Sequence, residues 1–236
     1  MKGNNPLLTI IIPVFNEKGT VAEIVSKVFA VNMPKQVIIV DDGSNDGTSE
    51  VLNALKDRFD FELTTHSKRR GKGAAIIDAL PFASGKYTII QDADLEYDPA
   101  DYLLFFDFVE SKESAVRAVY GSRFLNGRGR GTTRAHFFAN SLFAALTNIL
   151  FHAKLTDIET GYKFIETNLL KELNLRCLGF DVEIEITAKL LKRRIRIEEL
   201  PISYTAREVK QGKKIRFKDG LSALFSIIKY RFITGK

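Results

Sequence analysis

Apolar positions along this chain form two kinds of run that take turns. Residues 7–12, 37–40 and 87–91 are short runs, mostly β-branched or aliphatic. A strand apolar on both faces belongs inside a sheet that is covered on both sides. Between these runs, residues 21–30 and 48–55 carry apolar side chains at helical spacing. The same reading predicts a strand over 59–65, a helix from 71 to 83 and an amphipathic helix over 100–109. Further on it predicts a strand near 118–120 and another over 195–200. Helices are expected over 137–155, 181–194 and 221–232. Strands that alternate with helices indicate an α/β fold with a mainly parallel sheet flanked by helices, closed by a C-terminal amphipathic helix. In such sheets ligands bind beyond the carboxyl ends of the strands. A length of 236 residues suits one domain, 1–236, with a full core.

Composition narrows the class. With 45% hydrophobic and 27% charged residues the chain is too apolar for disorder and too charged for an integral membrane protein. No apolar run reaches the roughly 18 residues of a membrane span. Residues 1–6 lead directly into a strand-like run and do not read as a cleavable signal. The single cysteine, Cys177, rules out an internal disulfide and a four-cysteine zinc site and fits a reducing compartment. The expected location is therefore cytoplasmic.

Charge is unevenly placed. Residues 189–236 hold 14 Lys and Arg against four Asp and Glu, so the net +6 of the chain conceals a mildly acidic body and a basic end. Between Ser114 and Thr156 there is no acidic residue but there are five arginines. This asymmetry suggests a phosphate-bearing or anionic-surface partner. Nucleic acid is not expected, because the basic residues lack aromatic interleaving or a known motif.

Three segments could carry chemistry. Asp92-Ala93-Asp94-Leu95-Glu96 follows a buried strand, and three carboxylates so close repel one another unless a cation offsets them. Hard oxygen ligands of this kind suit Mg²⁺ or Mn²⁺, which also bridge diphosphates. Asp41-Asp42-Gly43-Ser44 closes another buried strand, where an acidic side chain can accept from a nucleobase or ribose, or simply form a turn. Gly71-Lys72-Gly73 at a helix start sets backbone N–H groups and an ammonium beside a phosphate position, without being a Walker A loop. His66, His136 and His152 lack metal-ligand spacing, and no Gly-x-Ser-x-Gly elbow is present.

The ordered blocks Pro13-x-Phe15-Asn16-Glu17, Val40-Asp41-Asp42-Gly43-Ser44, Arg70-Gly71-Lys72-Gly73, Asp92-Ala93-Asp94 and Gly121-Ser122-Arg123-Phe124 resemble inverting family 2 glycosyltransferases of the GT-A fold. Segments 156–163, 179–183 and 212–220 extend the resemblance, which is strongest to the polyprenyl-phosphate sugar synthases, the dolichol-phosphate mannose synthase group. The resemblance implies a nucleotide-sugar-binding half, 1–122, and an acceptor-binding half, 123–236. It implies that Pro13, Phe15, Glu17, Val40, Asp42 and Lys72 hold the nucleotide sugar, of the GDP-mannose or UDP-glucose type. Asp92, Asp94 and Glu96 would bind Mg²⁺ or Mn²⁺ and the diphosphate, with Ala93 contributing backbone. Glu96 stands where the mannose synthases carry Gln. Arg123, Arg134, Arg207, Lys213 and Lys214 would clamp phosphate of the lipid acceptor, and Asp94, Arg123 and Arg207 form the expected catalytic set.

The implied reaction is transfer of a hexose, with inversion, to a polyprenyl phosphate. A phosphate monoester is already largely ionised near neutrality and needs no general base. A soluble hydroxyl acceptor, the alternative within enzymes, would need one, and Glu183 or Glu185 are the expected carboxylates. Two residues apart on a helix, they point about 200° away from each other, so at most one faces the site. A non-catalytic nucleotide-sugar-binding module is a third reading. Residues 137–150, flanked by Arg134 and Lys154, and residues 221–232, with Lys229 and Arg231, suit helices lying on a membrane surface. The longer relatives append membrane-spanning helices, so a chain ending soon after Phe232 is expected to be soluble and peripheral on the cytoplasmic membrane face. The reading admits a partner membrane protein or a homo-oligomer.

Overall fold

The computed structural model describes residues 7–112, 116–127, 131–207 and 217–232, with side chains in the last helix from Ser222 onward. The strands are β1 (Leu8–Val14), β2 (Lys35–Asp41), β3 (Glu62–Thr65), β4 (Tyr87–Ile90), β5 (Ala118–Ser122), β6 (Lys163–Glu166) and β7 (Glu198–Pro201). The helices are α1 (Val21–Ala30), α2 (Thr48–Leu55), α3 (Lys72–Ala79), α4 (Tyr102–Ser111), α5 (Arg134–Phe151), α6 (Thr167–Glu172), α7 (Val182–Lys192) and α8 (Phe217–Phe232). Among the described residues the strands form a seven-stranded sheet in the order β3-β2-β1-β4-β6-β5-β7. All pairings are parallel except those of β6, which runs antiparallel to β4 and β5.

β1 is the axis of this arrangement, bonded to β2 on one side and β4 on the other. Its alternation divides the core. Leu8, Ile10, Ile12 and Val14 join α1, α2 and α4 in one apolar cluster, while Ile11 joins α3, α6 and α7 in the other. A third cluster unites α5, α7 and α8. The chain leaves β1 toward β2 and returns from β3 to β4 on the opposite flank. The carboxyl ends of β1 and β4 therefore flank a topological switch point, the place where open α/β sheets bind ligands.

Several predicted boundaries move for local reasons. The strand expected over 59–65 begins at Glu62, because Phe59 N–H still bonds to Leu55 O and its ring stacks on Phe29 at 4.9 Å. The helix expected to reach 83 ends at Ala79 in a 3₁₀ turn that contains Pro81. The helix expected over 137–155 starts at Arg134, with Thr133 Oγ1 accepting from His136 N–H, and stops where His152 turns left-handed. The strand expected over 195–200 forms at Glu198–Pro201. Sequence patterning missed β6 and α6 entirely. β6 begins with a fully buried lysine, Lys163, which interrupts the apolar run that would have marked a strand.

β6 is nevertheless central. Phe164 is fully buried, stacks on Tyr87 at 4.5 Å and Phe105 at 5.4 Å, and meets Phe106 edge-on at 5.1 Å. Replacing it leaves a cavity that three rings cannot close. Phe164→Ala is expected to cost about 3–5 kcal/mol in urea unfolding. A loss below about 1 kcal/mol would show that the antiparallel strand is not part of the core.

Candidate functional site

The site is built where β1, β2 and β4 end. After β2, Asp41 and Asp42 divide two tasks. Asp41 accepts from Ser44 N–H and from the Ser49 hydroxyl, so it is the turn former. Asp42 is buried and accepts from Arg70 N–H, Gly71 N–H and His66 Nδ1, each at 2.7 Å. Three of about four lone-pair directions on that carboxylate are thus taken by the chain's own donors. Beside it the guanidinium of Arg69 lies 4.4 Å over the Phe15 ring. Pro13 is half-buried on β1, in register with Val40, whose side chain belongs to the core.

The loop after β4 carries the acids. Leu95 adopts φ +66° between Asp94 and Glu96, a conformation that a bulky residue takes only under constraint from its surroundings. Ala93 is buried in the core layer. Asp92 pairs with Lys72 Nζ at 2.7 Å, and Gly161 lies so close that a Cβ there would come within 2.6 Å of Asp92 Oδ2. Glu96 accepts from Arg207 N–H at 2.7 Å and from the Tyr204 hydroxyl at 2.8 Å. Asp94, among the described residues, accepts a single hydrogen bond, from Glu96 N–H at 3.1 Å.

Its surroundings act on its protonation. Burial, joined by the charges of Asp92 and Glu96, pushes the Asp94 carboxyl up to about 7, while the Glu96 N–H and Arg207 act the other way. Among the described residues no three His, Cys, Asp or Glu side chains are gathered around one point. The donor chemistry nevertheless fits a hard divalent cation, since an under-satisfied carboxylate beside another is the arrangement such an ion stabilises. Glu96, expected as a third ligand, has both oxygens occupied by residues 204–207.

Two of the three arginines expected to hold phosphate, Arg123 and Arg207, are brought to the same end of the sheet, each with a carboxylate partner. Arg207 donates to Glu17 Oε2 at 2.6 Å and Oε1 at 3.2 Å, joining the loop after β1 to the segment after β7. Arg123 grips Asp157 through Nε at 2.6 Å and Nη2 at 2.8 Å, with the Phe124 and Tyr204 rings near its guanidinium. Arg134 is exposed on the first turn of α5 and has no partner among the described residues. Lys213 and Lys214 lie outside the described residues, as do Arg128 and Arg130.

Glu183 and Glu185 have different roles, as their spacing predicts. Glu183 sits between Lys72 at 2.9 Å and Lys163 at 3.0 Å. Burial alone would raise its pKa, but the two ammonium groups outweigh it and hold the carboxyl below its ordinary range. Lys72 is likewise buried, yet Asp92 and Glu183 raise its pKa, whereas burial lowers that of Lys163. Glu185 accepts from Arg176 N–H and Cys177 N–H and pairs with Lys189, away from this chain of charges. Sequence reading missed Lys163, Asp157 and Glu159. Burial, with Asp157 and Asp181 adding, pushes Glu159 up to about 7 although Arg123 and Lys163 oppose it. All three lie in the 156–163 block, the one signal that pointed to them.

The two helices expected at a membrane surface each divide into two faces. Phe143 and Ala144 of α5 and Ala223 and Ile227 of α8 pack together with α7. Phe138, Leu142 and Ile149 on α5, and Phe225, Ile228 and Phe232 on α8, are exposed. No helix of the described residues is long and apolar enough to cross a membrane.

Comparison with known proteins bears on this site. The family model for glycosyl transferase family 2 matches residues 9–173. Dolichyl-phosphate beta-glucosyltransferase of Saccharomyces cerevisiae is 26% identical over 221 residues, covering 84% of this chain and 66% of that protein. Polyprenol monophosphomannose synthase of Mycolicibacterium smegmatis is 26% identical over 216 residues, covering 86% and 79%. Dolichol-phosphate mannosyltransferase of Pyrococcus furiosus is 23% identical over 214 residues, covering 87% of this chain but 58% of its own length. The chain thus spans less than two thirds of two of these relatives. Glucosyl-3-phosphoglycerate synthase from Mycobacterium tuberculosis, solved with Mn²⁺, UDP-glucose and phosphoglyceric acid, superposes with a TM-score of 0.74 at 17% identity. That match covers 100% of this chain and 83% of the other, and it shows a shared fold.

A pH dependence follows from Asp94 and Glu159. Their folded pKa values of about 7 exceed the unfolded values of about 4. Between those limits the folded state retains protons that the unfolded chain has released, so stability falls as pH rises through the interval. In EDTA the melting temperature is expected to drop from pH 5 to 7.5. Asp94→Asn and Glu159→Gln should each flatten part of that slope, and Mg²⁺ or Mn²⁺ should stabilise most at the upper end. A slope unchanged in both variants would contradict the assignment.

Proposed function

The chain belongs to glycosyl transferase family 2, and on that premise we propose that it transfers a hexose from a nucleotide-diphosphate sugar to a polyprenyl phosphate, with inversion. The observation that carries the reading is the under-satisfied Asp94 beside Asp92, set at a strand end with Lys72 on one side and Arg207 on the other. The names of the curated relatives support the lipid-phosphate acceptor.

In this reading Phe15 and Asp42 hold the nucleoside, with Pro13, Val40 and Glu17 shaping the floor of the pocket. Asp92 and Asp94 would hold Mg²⁺ or Mn²⁺, which would supply positive charge to offset that of the diphosphate leaving group. Lys72 adds a cation at the same phosphates. Arg207 and Arg123, with Lys213 or Lys214, orient the acceptor phosphate for a single displacement at the anomeric carbon. Each arginine must exchange its carboxylate partner, Glu17 or Asp157, for phosphate. A guanidinium is suited to that exchange because both partners accept its bidentate fork.

No base is required when the acceptor is a phosphate. Glu183, held ionised between two lysines, would be a weak one. The carboxylate that would serve a hydroxyl acceptor is Glu159, whose pKa burial pushes up to about 7, toward the range of a general base. The exposed apolar rows on α5 and α8 give the lipid reading its approach to a bilayer, with the enzyme peripheral on the cytoplasmic face and its basic end toward anionic headgroups.

The test is a panel of donors, among them GDP-mannose, UDP-glucose and UDP-GlcNAc, offered with polyprenyl phosphate or with soluble hydroxyl acceptors. Transfer to lipid phosphate is expected, with Asp94→Ala and Arg207→Ala each losing about 3 kcal/mol of transition-state stabilisation, roughly a hundredfold in single-turnover rate. Glu159→Gln and Glu183→Gln should be milder. A dead Glu159→Gln beside a near-normal Arg207→Ala, with transfer only to hydroxyls, would overturn the lipid-phosphate assignment.

A further inference from the structure

Lys163 is fully buried at the start of β6, where nothing in the proposed reaction uses it. Its ammonium meets three oxygens, Ile158 O at 3.0 Å, Thr160 O at 2.5 Å and Glu183 Oε2 at 3.0 Å, and lies 4.6 Å from the Tyr120 ring. Two carbonyls accept hydrogen bonds from the ammonium and the Glu183 carboxylate faces it as an ion pair, contacts that favour the charged form. The other Glu183 oxygen is 2.9 Å from Lys72, and Lys72 is 2.7 Å from Asp92. Four charges therefore alternate in sign along a line from β6 through α7 and α3 to the end of β4. Exposure falls along it, from 24% for the Asp92 side chain through 10% for Lys72 and 7% for Glu183 to 0% for Lys163.

We propose that Lys163 is a positioning residue that frees Lys72 to engage the donor diphosphate. With Lys72 as its sole cation, Glu183 would be stranded as a buried, unpaired carboxylate whenever Lys72 moved, and such a charge is expensive. Lys163 removes that restraint, because Glu183 stays neutralised from behind. The inference rests on the donor reading above: once Asp92 faces a cation and phosphate, its hold on Lys72 is no longer needed, and Lys72 can turn to the diphosphate. The same ammonium tethers the carbonyls of Ile158 and Thr160. These belong to the loop that carries Asp157, the partner of Arg123, and Gly161, which abuts Asp92. Lys163 thus ties the donor side to the acceptor side through groups that never touch substrate.

The test compares binding of UDP and GDP with that of UMP and GMP by calorimetry in Mg²⁺ or Mn²⁺, alongside melting temperatures. Lys163→Met is expected to weaken diphosphate binding at least tenfold while leaving monophosphate binding within about twofold. Equal loss for both ligands would mark a purely structural role and overturn the proposal, as would wild-type diphosphate affinity. Should Lys163→Met not fold, the double variant Lys163→Met/Glu183→Gln decides. With Glu183 neutral, Lys163 has no charge to offset, so the double variant should bind diphosphate as Glu183→Gln does. A double variant tenfold weaker than Glu183→Gln overturns the inference. A wild-type protein that binds neither diphosphate with either ion overturns the donor reading and this inference with it, whereas binding that is indifferent to the variants overturns this inference alone.

Discussion

A carboxylate taken out of water must be given donors, a cation or a proton, and how each acid near the strand ends meets that demand organises this molecule. Asp42 is given two backbone N–H groups and His66, which pins the 66–71 loop over the end of β2. Asp157 is given Arg123, and Glu17 is given Arg207. Glu96 is given the Arg207 N–H and the Tyr204 hydroxyl, so the segment after β7 is drawn across the acidic loop. Glu183 is given two lysines and Asp92 one of the same two. Burial, with neighbouring carboxylates adding, pushes the pKa values of Asp94 and Glu159 up to about 7.

This distribution also explains how distant parts of the chain converge. Arg207 lies 190 residues from Glu17 and 111 from Glu96, yet it contacts both. Its backbone is held by one acid and its guanidinium by another, so the side chain can change partner without the segment leaving the site. Arg123 is arranged in a similar way, its N–H and its guanidinium both directed at Asp157. Tyr97 reinforces the closure: it stacks on Tyr162, bridges to Tyr204 and accepts from Gly161 N–H through its hydroxyl. Apolar contact and hydrogen bonding thus reinforce the ion pairs that join the segments on either side of the acidic loop.

Sequence alone was enough for the sheet strands β1, β2 and β4, for the helices between them, and for the acids at their ends. Those features are local: a continuous β-branched run, a 3.6-residue period, and carboxylates too close together to be left uncompensated. It could also mark the 156–163 block as part of a resemblance. It could not say that Lys163 is interior or that Asp157 and Gly161 press on Arg123 and Asp92, because an isolated lysine reads as surface until its partners are known.

The remaining decisions were tertiary. Which acids are paired and which are short depends on contacts between residues tens to hundreds of positions apart, and no local pattern encodes them. Phe143 and Phe138 show the same division within one helix: both fit an apolar stripe in sequence, but only packing against α7 and α8 buries the first and leaves the second exposed. The identity of the acids, the strands that end in them and the order of the blocks were written in the chain. Their charge balance was decided by folding, because the energy of a buried charge is set by its neighbours in space and not by its neighbours in sequence.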